Sequence, residues 1–505
     1  MKTYAAYVMQ DDLFFAFLTV KEILYFHAVL RSPAKGTAAL NQAVEDMITK
    51  LGLTKCARTA VGSHGKRGIS GGERKRLAIG CELLSNPRLM FLDEPTSGLD
   101  SSTACSIIQV LKQQVHRTTV LCTIHQPSTK IIELFDDLMM LSGGCIVYFG
   151  TVAGGVDYYA SKNFPCPPLF NPADHFLDVI SADPTDPAAM EVARGNAKKL
   201  IDGYTPPEPP TPTVTKLGTT HPRPNKLVQF MYLLQRAARL HYRNRAFVFT
   251  QLVQNVFLAI MIGLVFLDLP FDQTGIGRRF ASCFFITINQ GVFAVYAVIS
   301  SFPMERDIIL RDRASGTYST LPYFLSKSLA EIPLQVMFPS VFAVIVYFMI
   351  DYRQDFYAYA NFWILIELAN LCAISLGLAT SAFSPTVAFA TVLTPLVMEM
   401  WRLFSSFFSQ PVPLPDWLIW IQYLGFITYT FTGLARNEIE PLEFFCLPTQ
   451  LVNGVCPTTS GKIAIEKFHL MEVDVYQCQL ILIGMILFYR VFAYFFVLKN
   501  KKPGG

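Results

Sequence analysis

The 505 residues are 52% hydrophobic and only 16% charged, too apolar for a soluble enzyme of this length and long enough for two or three domains. A polytopic membrane portion accounts for the excess, and a formal charge of +4 gives no reason to expect nucleic acid as a partner. The 11 cysteines are scattered without paired metal-ligand spacing, and the first residues lack the pattern of a cleavable leader, so membrane entry is expected through internal segments.

Residues 1–180 alternate short apolar runs with amphipathic stretches, the pattern of an α/β domain. Tyr7-Val8-Met9 leads into Gln10-Asp11-Asp12. Thr19 to Leu30 and Ala38 to Leu51 predict amphipathic helices, the second with Gly52 as its cap. Ser70-Gly71-Gly72-Glu73 admits two readings. Two glycines allow close backbone approach to an anion at a helix start. Taken alone, however, Ser70 and Glu73 read first as a capping box that begins an ordinary helix.

Arg88 to Leu92 reads as a buried parallel strand ending in Asp93 and Glu94, and α/β sheets bind ligands at the carboxyl ends of such strands. There an Asp can hold Mg²⁺ and a following Glu can polarise a water for attack on a phosphate, although Asp-Glu-Pro could also simply end a strand. Ser101 to Val115 predicts a helix, and Thr119 to Ile124 a strand leading into His125-Gln126-Pro127. Cys145 to Phe149, after Gly143-Gly144, predicts a short closing strand.

Asn171-Pro172-Ala173-Asp174-His175-Phe176 starts a short helix. Residues 181–226, with TPPEPPTPT at their centre, read as a proline-rich linker without a core of its own. Residues 227–246 are basic and amphipathic, with Arg236, Arg239, Arg243 and Arg245 on a face suited to lipid phosphates or to plain solvent.

Residues 247–505 contain six apolar segments near 247–268, 280–302, 332–351, 359–383, 386–408 and 477–498, each matching the roughly 20 residues that a bilayer helix needs. An even number puts both ends on one side, and Lys499, Lys501 and Lys502 agree with that side being the cytosol. Arg278, Arg279 and Arg353 then fall on the outer side, against the charge rule. A charge-dense stretch, Glu305 to Tyr318, separates the second and third spans. Pro411 to Glu438 is too interrupted for a seventh span and reads as a re-entrant or interfacial hairpin, which makes 439–475 an external loop. If that loop faces an oxidising compartment, Cys446 and Cys456 can pair. Glu367, Glu399 and Arg402 are the ionisable residues least expected in lipid, and should face the bundle interior or a water-filled path. Glu399 and Arg402 are spaced to meet on one helix face, lining a substrate path or forming a local ion pair.

Taken in order, Gln10, Ser70 to Glu73, Asp93-Glu94, Ser97-Gly98-Leu99-Asp100 and His125 resemble the nucleotide-binding domain of ABC transporters. ISGGERKR, CELLSNPRLMFLDEPTSGLDSSTA, TIHQPS, the NPADHF element and ERDIILRDRASGTY are similar to the G subfamily, the white/brown type of half-transporters, over nearly the whole chain. The resemblance implies an incomplete α/β P-loop-type nucleotide-binding domain followed by an all-α, six-span membrane domain of the ABC-2 type. ATP and Mg²⁺ are the implied cofactors. Gln10 is the implied Q-loop glutamine, sensing the γ-phosphate and metal, and Ser70, Gly71, Gly72 and Glu73 the signature. Asp93 would hold Mg²⁺, Glu94 activate water, Asp100 form the D-loop and His125 stabilise the transferred phosphoryl group. The same resemblance makes 227–246 a connecting helix, and Glu305, Arg306, Arg311, Gly316 and Tyr318 part of a cytosolic coupling loop. Phe407 and Phe408 stand where the family carries a paired apolar plug; with Glu399 and Arg402 they form a candidate substrate path.

The family's phosphate-cradling motif G-x-x-x-x-G-K-[ST] precedes the Q-loop glutamine, yet it occurs nowhere in this chain. A fragment or incomplete gene model is therefore expected, with a naturally short protein as the alternative. The implied function is ATP-driven export of small amphipathic or lipid-like molecules by a homodimer or heterodimer with another half-transporter. Taken literally, a homodimer lacks both cradles and should not hydrolyse ATP, so a second reading is a hydrolysis-deficient subunit that regulates a complete partner. A soluble ABC ATPase of the repair or translation kind is opposed by the six spans. The expected location is a plasma or organelle membrane, multi-pass and in contact with lipids, with the nucleotide-binding domain and both termini cytosolic.

Overall fold

A computed structural model describes residues 4–34, 36–62, 67–183, 185–206, 224–408, 415, 417–451 and 455–499, and of residues 297 and 300–304 the backbone alone. It divides into two compact units, residues up to 224 with 315–317, and the remainder from 225 onward.

The first unit starts with β1 (Ala5–Val8), α1 (Val20–Arg31), α2 (Thr37–Lys50), α3 (Gly71–Leu83), β2 (Leu89–Leu92), α4 (Ser101–Lys112), β3 (Thr119–Cys122) and the short α5 (Thr129–Ile132). The three strands form a parallel sheet in the order β1, β2, β3, with Tyr7, Phe91 and Leu121 side by side. Strand alternation sorts the side chains. Ala6, Val8, Met90 and Leu92 are buried in a core with Ile79 and Leu83 of α3 and Ile107, Ile108 and Leu111 of α4. On the opposite face Tyr7 of β1 is 52% exposed and Leu121 of β3 54%, while Phe91 of the central strand is half-buried.

The unit continues with β4 (Leu138–Ser142), β5 (Cys145–Gly150), α6 (Val152–Ser161), α7 (Pro172–Ile180) and α8 (Pro187–Asp202). Strand β4, which the sequence reading did not separate, pairs antiparallel with β5 around Gly143 and Gly144, both at positive φ. Tyr159, Phe176 and Leu200 pack α6, α7 and α8 together over this hairpin. Helix α8 corrects the linker expected over 181–226. Its proline sits at the first turn, Asp186 caps the amides of Ala188 and Ala189, and Ala193, Ala197 and Leu200 form a buried stripe. The proline-rich centre beyond residue 206 lies outside the described residues, as do Lys501 and Lys502.

The second unit comprises α9 (Lys226–Arg243), α10 (Arg245–Val265), α11 (Gln273–Ala314), α12 (Thr320–Ile350), α13 (Phe356–Phe383), α14 (Val387–Leu403), α15 (Ile419–Gln422), α16 (Phe426–Ile439), α17 (Gly461–Lys467) and α18 (Val475–Lys499). Among the described residues α10, α12, α13 and α18 are long and apolar enough to cross a membrane. The second and fifth expected spans look different. Helix α11 runs for 42 residues, straight through most of the charged stretch expected as a loop. No glycine or proline interrupts Glu305 to Ala314, and the chain turns only at Gly316, with φ +74. Helix α14 has 17 residues, about 25 Å of rise, and carries Glu399 and Arg402 near its end. Within the stretch expected as a re-entrant or interfacial hairpin, α15 leads into α16, whose residues are buried except Arg436, while Trp417, Trp420 and Tyr423 stay exposed.

Several polar groups inside this unit are answered from within. Pro339 in α12 offers no N–H to the carbonyl of Gln335 four residues earlier, and Asn370 of α13 donates to that carbonyl at 2.9 Å instead. Arg279, only 1% exposed, donates Nη1 to Glu438 Oε1 at 2.8 Å and Nη2 to the Leu269 carbonyl at 3.0 Å. The backbone N–H of Arg353 donates to the other Glu438 oxygen at 3.2 Å, and its side chain to the Asn437 carbonyl at 3.0 Å. Arg279 and Arg353, which stood against the charge rule, are thus engaged with protein rather than facing a membrane surface. Arg236 also departs from expectation. It is buried between Asp312 Oδ2 at 3.5 Å and the Tyr318 hydroxyl at 3.4 Å, because α9 packs against α12 and turns this arginine inward from any lipid face.

Asn370→Ala leaves the Gln335 carbonyl unpaired and should cost about 1–3 kcal/mol, a cost that shrinks in a Pro339→Ala background where an N–H returns to that carbonyl. Unfolding of the parent and the three variants in lipid discs measures the coupling, and equal costs in both backgrounds would refute the pairing.

Candidate functional site

Because β1, β2 and β3 run parallel, the residues that follow them, Gln10, Asp93-Glu94 and His125, emerge at one edge of the sheet. Gln10 Nε2 donates to Glu94 Oε2 at 2.8 Å. Asp93 is held from two sides, by the Tyr7 hydroxyl at 3.1 Å and the Thr123 hydroxyl at 2.9 Å. Thr123 Oγ1 also accepts the Glu94 N–H at 3.0 Å, so one hydroxyl fixes both acidic residues. Burial and the bond to Asp93 push the Tyr7 hydroxyl above its ordinary value, which keeps it a donor. Glu94 at φ +41 and Gln126 at φ +46 adopt the left-handed conformation, at a cost of about 1–3 kcal/mol each that is met chiefly at functional positions. His125 stands exposed beside them.

Lys75, one turn into α3, ties the glycine-rich helix start to the Gln10 segment. Its ammonium donates to the carbonyls of Met9 at 3.2 Å and Gln10 at 2.8 Å and pairs with Asp12 at 3.1 Å, with 5% of the side chain exposed. Sequence reasoning missed Lys75, Tyr7 and Thr123. A signal existed for the lysine, since Gly72, Lys75 and Ile79 form one buried helical stripe in which a cation needs a buried partner.

The Ser70 element has the capping-box geometry. Ser70 Oγ accepts the Glu73 N–H at 3.3 Å, while Glu73 Oε2 accepts the Ser70 N–H at 2.8 Å and hydroxyl at 3.0 Å. Gly72 is required by packing, for an added Cβ would lie 2.4 Å from Thr103 Cγ2 of α4. Gly71 is the open one, with its nearest neighbour, Leu99 Cδ2, at 3.9 Å from such a Cβ. Asp100 caps α4, accepting the Thr103 N–H at 3.0 Å.

The donor set fits a phosphate-borne Mg²⁺ rather than an all-protein metal cage. Among the described residues no group of three or more His, Cys, Asp or Glu side chains converges, and Mg²⁺ bound with substrate phosphates needs only one or two carboxylates. Asp93 offers these oxygens in a fixed orientation, with Gln10 and Glu94 beside it.

In the second unit the structure places the remaining candidates in separate groups. Arg402 and Glu399 form an ion pair of 2.5 Å, with 41% and 51% of their side chains exposed, rather than facing a packed interior. Phe407 stacks on Phe284 with ring centres 4.3 Å apart, and Phe408 meets the same ring edge-on at 5.0 Å. Glu305 pairs with Lys327, Arg306 donates to the Ser384 and Pro385 carbonyls at 2.8 Å each, and Arg311 and Tyr318 converge on Asp312. A disulfide joins Cys446 to Cys456. Arg490, missed in the last apolar segment, donates Nε to Ser375 of α13 at 2.9 Å.

The family model "ABC transporter" matches residues 1–97, and "ABC-2 type transporter" models match residues 228–439 and 125–193. Protein white of Drosophila melanogaster is 34% identical over 520 residues, covering 98% of this chain and 74% of that protein. ABC transporter G family member 1 of Dictyostelium discoideum is 31% identical, covering 99% of this chain and 75% of the relative. The broad substrate specificity ATP-binding cassette transporter ABCG2 of Rattus norvegicus is 31% identical, with 99% and 82% covered.

Lys75→Met removes the partner of Asp12 and of two carbonyls and should cost roughly 3 kcal/mol. Limited proteolysis should then cut between Met9 and Leu13 faster; an unchanged rate would show that the lysine does not hold this segment. The two helix caps carry a pH dependence. Partial burial pushes Glu73 up, but the Ser70 amide and hydroxyl outweigh it and leave the carboxyl below its usual value. The Thr103 amide and hydroxyl lower Asp100 likewise. Both caps therefore stabilise above the ordinary carboxylate range and are lost as pH falls through the lowered values. Amide-exchange protection at Glu73 and Thr103 should hold at pH 6 and fall below about pH 4.

Proposed function

The chain belongs to the G branch of the ABC transporters, the white-type half-transporters, and from that membership we propose that it exports amphipathic or lipid-like molecules, driven by ATP, as half of a homodimer or heterodimer. The observation that carries the proposal is the Gln10–Glu94 bond beside the doubly held Asp93, at the carboxyl edge of a parallel sheet. It occurs in a chain with four helices of spanning length among its described residues.

In this reading Glu94 orients the attacking water and takes its proton on the oxygen that Gln10 leaves free. Thr123 keeps that carboxyl in register with Asp93, and His125 offers a ring N–H where negative charge develops. ATP with Mg²⁺ supplies the phosphoryl group and the charge that offsets it, and Asp93 is the residue to hold the ion. Ser70, Gly71 and the α3 amides serve the nucleotide of the partner subunit, which requires the Ser70–Glu73 bonds to open. Glu305, Arg306, Arg311, Gly316 and Tyr318 take the coupling role, and Glu399, Arg402, Phe407 and Phe408 the substrate path. Residues 439–475 are assigned to the outside, and the nucleotide-binding unit and both termini to the cytosolic side of a plasma or organelle membrane.

A second reading is a subunit that regulates a complete half-transporter without hydrolysing ATP itself.

The test is ATP turnover and lipid-analogue transport in vesicles carrying this chain with a complete half-transporter. Glu94→Gln should lower turnover by about a hundredfold or more through loss of the proton acceptor. Turnover unmoved by Glu94→Gln but altered by omitting the chain would instead support the regulatory reading.

A further inference from the structure

The seam between α12 and α13 holds a carboxyl group that the reading above leaves unused. Glu367 of α13 is 6% exposed. Its Oε1 lies 2.9 Å from Ser340 Oγ of α12, and its Oε2 has no hydrogen-bond partner among the described residues. Ser340 Oγ also meets the Val336 carbonyl at 2.8 Å and the Trp363 indole N–H at 2.9 Å.

A hydroxyl has one hydrogen and two lone pairs, and an indole N–H can only donate. Trp363 therefore occupies one lone pair of Ser340. If Glu367 were a carboxylate, Ser340 would have to give it the single hydrogen, leaving one buried anionic oxygen with one bond and the other with none. Among the described residues no cation pairs with it. On α12, Lys327 pairs with Glu305 and Glu331. Arg279 of α11 pairs with Glu438 of α16, Arg436 of α16 with Glu440, and Arg402 of α14 with Glu399. Arg490 of α18 bonds Ser375, eight residues along α13 and so about 12 Å away.

As a carboxylic acid, Glu367 satisfies the same geometry without a buried charge. Its O–H donates to the second lone pair of Ser340, Ser340 passes its own hydrogen to the Val336 carbonyl, and Oε2 is a neutral carbonyl that is far cheaper to leave unpaired.

We infer that Glu367 is a proton-binding site, holding a hydrogen ion against Ser340 and thereby latching α13 to α12 inside the membrane unit. Proton loss leaves a carboxylate, turns the Ser340 hydrogen away from Val336 and creates a demand for water in the seam, so the latch is tight when protonated and loose when not.

Infrared spectroscopy of the full chain in lipid discs at neutral pH tests this. The expected result is a carboxylic-acid C=O band that Glu367→Gln removes and that Ser340→Ala, by deleting the acceptor of the O–H, shifts. A neutral-pH spectrum in which Glu367→Gln removes a carboxylate band instead, or in which no acid band responds to it, overturns the inference. Should Glu367→Gln not fold, Ser340→Ala decides alone: a shifted acid band supports the site and an unshifted spectrum rejects it.

Discussion

A polar group buried in a bundle that lies in lipid has no water to turn to, so the protein itself must supply each partner. The second unit is arranged by that constraint. Asn370 supplies the donor that Pro339 cannot, and Glu438 accepts from both Arg279 and the backbone of Arg353. Arg313, at the end of α11, donates to the carbonyls of Val497 and Leu498, in the last turn of α18 where a helix leaves its final C=O groups unpaired. Each of these bonds ties segments far apart in sequence, so the same groups that would be liabilities in an apolar medium become the points at which helices are fixed to one another.

In the first unit a different device achieves precision. Three strands of four residues each could place their terminal side chains only coarsely. The finer placement comes from Thr123, whose hydroxyl donates to Asp93 and accepts from Glu94, and from Lys75, which gathers two carbonyls and a carboxylate of the Gln10 segment. Neither residue needs to touch a substrate. Both hold in position the groups assigned to chemistry, and the left-handed φ of Glu94 is tolerated because its neighbours restrict it on several sides.

Sequence carried the family, the fold class and the order of the motifs, because those rest on local patterns: glycines at a helix start, a carboxylate pair at a strand end, apolar runs of spanning length. It carried much less about partners across space. Arg236 looked like a lipid-facing cation because its own helix is basic, and only the packing of α9 on α12 brings Asp312 and Tyr318 to it. Arg490 was overlooked inside an apolar run because hydropathy averages over a lone charge, whereas its position is set by one hydroxyl on α13. Helix α8 was hidden by neighbouring prolines, although its alanine spacing was there to be read. At position 72 the sequence offered ligand approach or an ordinary helix start, and it could not show that a methyl group of Thr103 on α4 lies where a Cβ would sit.

Helix α18 packs along α13, and the Arg490–Ser375 bond that pins the pair spans 115 residues of chain. During synthesis, then, the central helix of the second unit must wait beside the translocation machinery until more than a hundred further residues have emerged. Ser375 and the small residues around it stay without their final neighbour throughout that interval. Quality control in the cell can act throughout that interval, and a lesion in α18 deprives a helix made much earlier of its neighbour.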